Sequence, residues 1–192
     1  MTGQEEEPTL QFATPDELVS WLATNHATRA GLRIRFAKKA TGVRSITHEE
    51  ALLVALRFGW IDGRVERGPE GYFRQRFTPR RAGSRWSKRN CELAEGLLER
   101  GEMAAAGRRE VDAAKLDGRW AAAYEGPRRA SVPDDLQREL NRDPAAAAFF
   151  ATLTSQNRYA ILYRLEEAKR PETRARRLAK FIDMLRRGET LH

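Results

Sequence analysis

The sequence predicts an α+β fold: a small antiparallel sheet packed on helices, followed by a C-terminal helical bundle. Three observations carry this. Leu32, Ile34 and Phe36 alternate with Arg33 and Arg35, the period-two signature of a half-buried strand. The stretches Ile61–Arg67 and Tyr72–Thr78 flank Gly68-Pro69-Glu70-Gly71 and read as an antiparallel pair around a turn. From Ser84 onward the apolar residues recur at helical spacing, down to Ala175, Leu178, Ile182 and Leu185 before Gly188.

The elements follow in order. Residues 1–9 read as a disordered tail. Thr14-Pro15-Asp16-Glu17 is a helix start, with Thr as N-cap, Pro in the first turn and Glu closing a capping box. Thr47-His48-Glu49-Glu50 repeats the signal, and Gly59 stops that second helix. His48 is expected on the surface of its first turn. On the strand Tyr72–Thr78, Phe73 and Phe77 share one face, while Tyr72, Arg74, Arg76 and Thr78 share the other. Pro79 ends the ladder.

Helices are expected at about 85–100 and 107–117, stopped by Gly101 and Gly118. Residues 126–133, with Gly126, Pro127 and Pro133, form the clearest linker. Short helices near 134–141 and 144–152 follow, the latter opened by Asp143-Pro144, and then two longer ones at 155–168 and from Pro171. The organisation is therefore a tail at 1–9, an α+β domain with a basic sheet face at 10–126, and a helical domain at 134–188.

Composition narrows the function. At 192 residues a chain can bury about two thirds of its unfolded surface, so a core forms without staples. Cys91 is the only cysteine, which excludes an intramolecular disulfide and fits a reducing compartment. No apolar run reaches membrane-span length. Met1 to Pro8 carries Glu5, Glu6 and Glu7 and no apolar stretch of a signal peptide. A cytoplasmic protein is expected. No signal fixes an oligomeric state.

The formal net charge is +8. Either anion contact, through guanidinium groups that bind phosphate bidentately, or the composition of a GC-rich genome accounts for that total. Local clustering says more. Gly71 to Asn90 contains Arg74, Arg76, Arg80, Arg81, Arg85, Lys88 and Arg89 and no acid. With Arg33, Arg35 and Arg64 these residues would gather on the open sheet face and attract anions. Tyr72 and Trp86 stand beside them to stack on bases. The alternative is a solvated face offset by Asp62 and Glu66. Ser84 and Ser87 open a helix after two arginines, which is either an anion site at helix amides or ordinary capping.

The candidate anion ligands are thus Arg64, Arg74, Arg76, Arg80, Arg81, Ser87 and Lys88. Trp60, Asp62, Trp86 and Asn90 have orienting or structural roles: Asp62 would either pair with Arg64, Arg74 or Arg76 or serve the turn after a helix, and Asn90 would hydrogen-bond inside an apolar stripe. A second basic cluster is Arg170-Pro171-Glu172-Thr173-Arg174 with Arg176 and Arg177.

No catalytic residue is predicted. His26, His48 and His192 are scattered, and Cys91 has no histidine beside it. There is no metal-ligand spacing, phosphate loop or dinucleotide fingerprint, so neither metal nor cofactor is expected.

Several motifs together resemble a known family. These are Phe58-Gly59-Trp60-Ile61-Asp62-Gly63, Gln75 to Arg81, Trp86-Ser87-Lys88 with Asn90, Gly118-Arg119-Trp120 with Tyr124, and Ala168 to Arg174. In that order they resemble the YdeI/OmpD-associated family, also called bacteriocin-protection proteins, from Leu10 to Gly188. The resemblance implies a link to envelope stress or antimicrobial-peptide tolerance and supplies no catalytic residues. It also implies a periplasmic setting for some members, from which this chain departs by lacking a signal peptide. The expected function is a non-catalytic binding protein, linked to stress tolerance, that takes an anionic small molecule or protein partner on its basic face. A nucleic-acid-binding protein and an enzyme acting on an anionic metabolite are the alternatives.

Overall fold

The computed structural model describes residues 7–126 and 130–191. The chain divides into two compact units, one ending at Tyr124 and the other beginning at Glu125. Part of the expected linker, 127–129, lies outside the described residues, as do the first six residues and His192.

The first unit contains β1 (Thr9–Leu10), α1 (Pro15–Asn25), β2 (Leu32–Ala37), α2 (His48–Arg57), β3 (Trp60–Arg67), β4 (Tyr72–Pro79), α3 (Lys88–Glu99) and α4 (Ala105–Leu116). Its sheet runs in the order β1-β2-β4-β3. The three long strands are antiparallel neighbours, and β1 adds a parallel edge to β2. The fold is α+β, as the alternation and the helical periodicity predicted. One correction falls at the N-terminus: Thr9 and Leu10, the former placed in the tail, pair with Arg33 and Ile34.

One face of the sheet packs on α1 and α2. Leu32, Ile34, Phe36 and Phe77 are almost fully buried there, with Leu18 and Leu22 of α1 and Ala51, Val54 and Ala55 of α2. The helix starts are local chemistry. Thr47 Oγ1 accepts from Glu50 N and Glu50 reaches back to Thr47 N, so the capping box of α2 is complete. At α1, Thr14 accepts from Glu17 N, but Glu17 reaches one residue further back, to Ala13 N.

A second cluster joins α2, α3 and α4 through Leu52, Leu56, Trp86, Ala94, Leu97, Val111 and Ala114. Gly107 lies inside α4, where a Cβ would stand 2.4 Å from the Arg57 carbonyl oxygen and 2.8 Å from that of Leu56. Close approach of α4 to the end of α2 explains why glycine occupies a helix interior. The helix expected from about 85 begins instead at Lys88. Trp86 and Ser87 are held in extended backbone by residue 124: Tyr124 N donates to Trp86 O and Lys88 N to Tyr124 O.

The second unit is helical, with α5 (Asp134–Arg142), α6 (Pro144–Thr152), α7 (Ser155–Glu166) and α8 (Pro171–Arg186). Their apolar stripes meet in one core that includes Leu136, Phe150, Ile161, Leu165, Phe181 and Leu185. Asp143 caps α6 by accepting from Ala146 N at 3.0 Å, and Pro144 takes the first helical position, as the sequence predicted. Among the described residues no helix is long and apolar enough to cross a membrane.

Candidate functional site

The pairing of β2 with β4 sets Arg33 opposite Arg76 and Arg35 opposite Arg74. Opposed residues share a face, so four guanidinium groups stand together on the side away from α1 and α2. Like charges directly opposite each other destabilise a sheet. Two carboxylates offset them. Glu66, opposite Arg74 on β3, lies 3.5 Å from Arg33 Nε and 3.9 Å from Arg74 Nε. Glu7 accepts from Arg76 Nε at 2.8 Å and from Arg76 Nη2, and lies 3.1 Å from Arg33 Nη1. The hydrogen bonds from Arg76 hold the Glu7 carboxyl below the usual carboxylate range, and the same pair raises Arg76. Arg35 donates to Gln11 Oε1 at 3.1 Å and lies over the Tyr72 ring.

Of the sequence-predicted anion ligands, Arg74 and Arg76 belong to this face. Arg64 falls in the bulge between Asp62 and Val65, exposed and with no ion pair among the described residues. The other four sit around the corner from β4 to α3. Arg80 is buried, 7% exposed, with its guanidinium 3.6 Å over the Trp86 ring. Its Nη1 donates to the Arg85 carbonyl at 3.1 Å, while Nε and Nη2 have no partner. Burial pushes its pKa down to about 10. Arg81 and Lys88 are exposed.

Ser87 caps α3 by accepting from Asn90 N at 3.2 Å. Lys88 N goes to the Tyr124 carbonyl. Two first-turn amides that an anion would use are thus bonded within the chain. Ser84 turns back to accept from Arg81 N. Asn90 is buried in the first turn of α3. Trp60 is buried, with its Nε1 donating to the His26 carbonyl and its ring edge-on to Trp21.

Asp62 requires a correction. It stands opposite Phe77, on the core face of the sheet, and does not orient Arg64, Arg74 or Arg76. Its Oδ2 accepts from His48 Nε2 and from Gln75 Nε2, each at 3.0 Å. His48 is not a plain surface residue either: its ring lies 6.3 Å from those of Phe36 and Phe77. The placement was readable, because Asp62 is two residues from the buried Trp60, and Gln75 lies between Phe73 and Phe77 on one face. Glu7 carried no such local signal.

Two arginines of the second basic cluster are tied into their own unit. Arg174 binds Asp135 through Nε and Nη2 and donates from Nη1 to the Leu165 carbonyl. Arg177 donates to the Arg164 carbonyl. These guanidinium groups close the C-terminal end of α7.

Cys91 is buried, and burial raises its thiol to about 11, which suppresses the reactive thiolate. Among the described residues no group of three or more metal-ligating side chains is assembled.

No curated protein and no solved structure matches the chain. Residues 129–188 match the family described as bacteriocin-protection, YdeI or OmpD-associated, so the resemblance read from the motifs is matched in the second unit. Residues 10–110, more than half of the sequence, match Domain of unknown function (DUF8412), and the chain belongs to that family.

Proposed function

We propose that the chain is a binding protein, not a catalyst, and that it takes an anionic ligand or partner on the arginine face of its first unit. The observation that carries this reading is the cross-strand register of Arg33 with Arg76 and Arg35 with Arg74. Guanidinium binds carboxylate and phosphate oxygens through paired N–H donors, and four of these groups stand in neighbouring strand positions. They also concentrate positive potential on one surface. The family that residues 129–188 match is described by bacteriocin protection, and tolerance of bacteriocins or other stress is the setting we propose for this binding.

The test is a titration of the full chain with phosphate, polyphosphate and a short DNA duplex at low salt, followed by isothermal calorimetry. At least one of these binds, and the Arg74→Ala/Arg76→Ala variant loses that binding. A variant that takes up each anion as well as the parent chain would overturn the reading. Duplex binding that falls by about 0.9 log units per log unit of salt for each neutralised phosphate would make nucleic acid the ligand.

A further inference from the structure

We propose that Gly31, Arg33 and Arg76 form a carboxylate-binding site for an acidic, extended peptide segment, and that Glu7 is its built-in occupant. This rests on reading the arginine face as a ligand surface, and it names the class of ligand and a means of regulation.

Residues 7–11 lie along the sheet edge as an added peptide would. Arg33 N donates to the Pro8 carbonyl at 2.9 Å, and Thr9 and Leu10 then pair with Arg33 and Ile34. Strand alternation puts Glu7, Thr9 and Gln11 on the arginine side. Glu7 meets Arg76 and Arg33, and Gln11 meets Arg35. Main-chain hydrogen bonds at a sheet edge, with alternate side chains read by the receptor, is the arrangement by which sheets capture extended peptides.

Gly31 borders the same carboxylate. A Cβ there would stand 2.6 Å from Glu7 Oε1 and 2.7 Å from Glu7 Cδ. Its backbone is not among the positive-φ glycines, so conformation does not require glycine at this position. The absent side chain makes room for a carboxylate. Two guanidinium groups and a bare stretch of backbone therefore converge on one planar anion.

Lifting residues 7–10 from the edge breaks few backbone hydrogen bonds. β1 is two residues long and sits at the sheet edge, where a strand is paired on one side. An occupant that is part of the chain competes with an incoming peptide and lowers its apparent affinity by the fraction of time the site is open. Residues 7–11 thus act as an autoinhibitory strap, released by a more acidic competitor.

The experiment uses a fluorescein-labelled hexaglutamate peptide and the full chain at low ionic strength, read by anisotropy. Glu7→Gln binds the peptide about tenfold more tightly than the parent, as expected when a competing occupant is removed. Adding Arg76→Gln to Glu7→Gln abolishes that gain. Arg33→Gln serves the same purpose if the Arg76 variant does not melt cooperatively. Equal binding by parent and Glu7→Gln, or binding undiminished by both arginine changes, overturns the proposal. Phosphate, polyphosphate and duplex DNA are titrated into the same variants. If they bind and hexaglutamate does not, the peptide site falls while the anion-binding function stands; if nothing binds Glu7→Gln, both fall.

Discussion

Arg174 and Asp135 form a bidentate pair, Nε to Oδ2 at 2.6 Å and Nη2 to Oδ1 at 2.9 Å. The third nitrogen of the same guanidinium donates to the Leu165 carbonyl at 2.7 Å. One side chain therefore ties the first turn of α8 to the first turn of α5 and to the end of α7. Both partners are about three-quarters buried, so the pair is neither fully screened nor fully desolvated. Arg174→Leu should cost roughly 2–3 kcal/mol, because it strands a largely buried carboxylate and a helix-end carbonyl. The urea midpoint of the full chain measures this. An unchanged midpoint would mean that the Arg174–Asp135 pair adds nothing to the stability of the helical unit.

Acid should expose the same pair. The hydrogen bonds from Arg174 hold the Asp135 carboxyl below its ordinary value, and Arg76 does the same for Glu7. A depressed folded-state pKa contributes stability above the unfolded value, and that stability is lost as pH falls through the folded one. The melting temperature should therefore be level from neutral pH to about 5 and fall below about 4, where free carboxylates titrate. Asp135→Asn should show a shallower fall. An equally steep fall in that variant would remove the pair from the acid response.

Arg80 offers a different contrast. Its guanidinium is buried against Trp86, with two N–H groups unpartnered. Replacing a buried, incompletely paired ion by an apolar side chain of similar length is often neutral or stabilising. Arg80→Met should therefore melt within about 1 kcal/mol of the parent, whereas Arg80→Ala should lose roughly 2 kcal/mol or more through the cavity beside Trp86. If the two variants are destabilised equally, the charge rather than the packing of Arg80 holds the corner.

Among the described glycines, Gly107 is the one whose Cβ would come nearest to backbone atoms. Alanine would gain about 1 kcal/mol of helix propensity. Its Cβ would overlap the carbonyl oxygens of Arg57 and Leu56 and the Met103 sulfur at 2.5 Å. Met103 can move, but the two carbonyls belong to the end of α2. Gly107→Ala should be net destabilising by about 1–3 kcal/mol, the cost of overpacking, seen as a lower urea midpoint. A stabilised variant would mean that α4 shifts freely on α2.

What the sequence made legible was whatever follows from neighbours along the chain. Thr47 with Glu50, and Asp143 with Pro144, are caps within one turn. The faces of β4 follow from alternation alone. The arginine face depends on register, and Arg33 meeting Arg76 joins residues from two strands that no local pattern aligns. The Glu7–Arg76 contact spans 69 positions and arises from a two-residue parallel strand too short to show a period. Helix α3 starts three residues later than its apolar spacing suggests, because Tyr124 pairs with the residues before it. Charge density along the chain does not show which arginines are already paired, as Arg76 is with Glu7 and Arg89 with Glu49.

Asp62 separates the two faces experimentally. Its carboxylate accepts from His48 and Gln75 on the core side. Asp62→Ala leaves His48 Nε2 without that acceptor, while Gln75 Nε2 keeps the Gly63 carbonyl at 3.1 Å. The loss should be roughly 1–3 kcal/mol, the cost of stranding partly buried donors. Adding His48→Phe to Asp62→Ala should cost less than His48→Phe costs in the parent, because the bond it removes is already gone. The arginine face lies on the other side of the sheet, so Asp62→Ala should keep the anion affinity of the parent in the same calorimetric titration. A variant that folds but loses anion binding would restore to Asp62 the role of orienting the arginines.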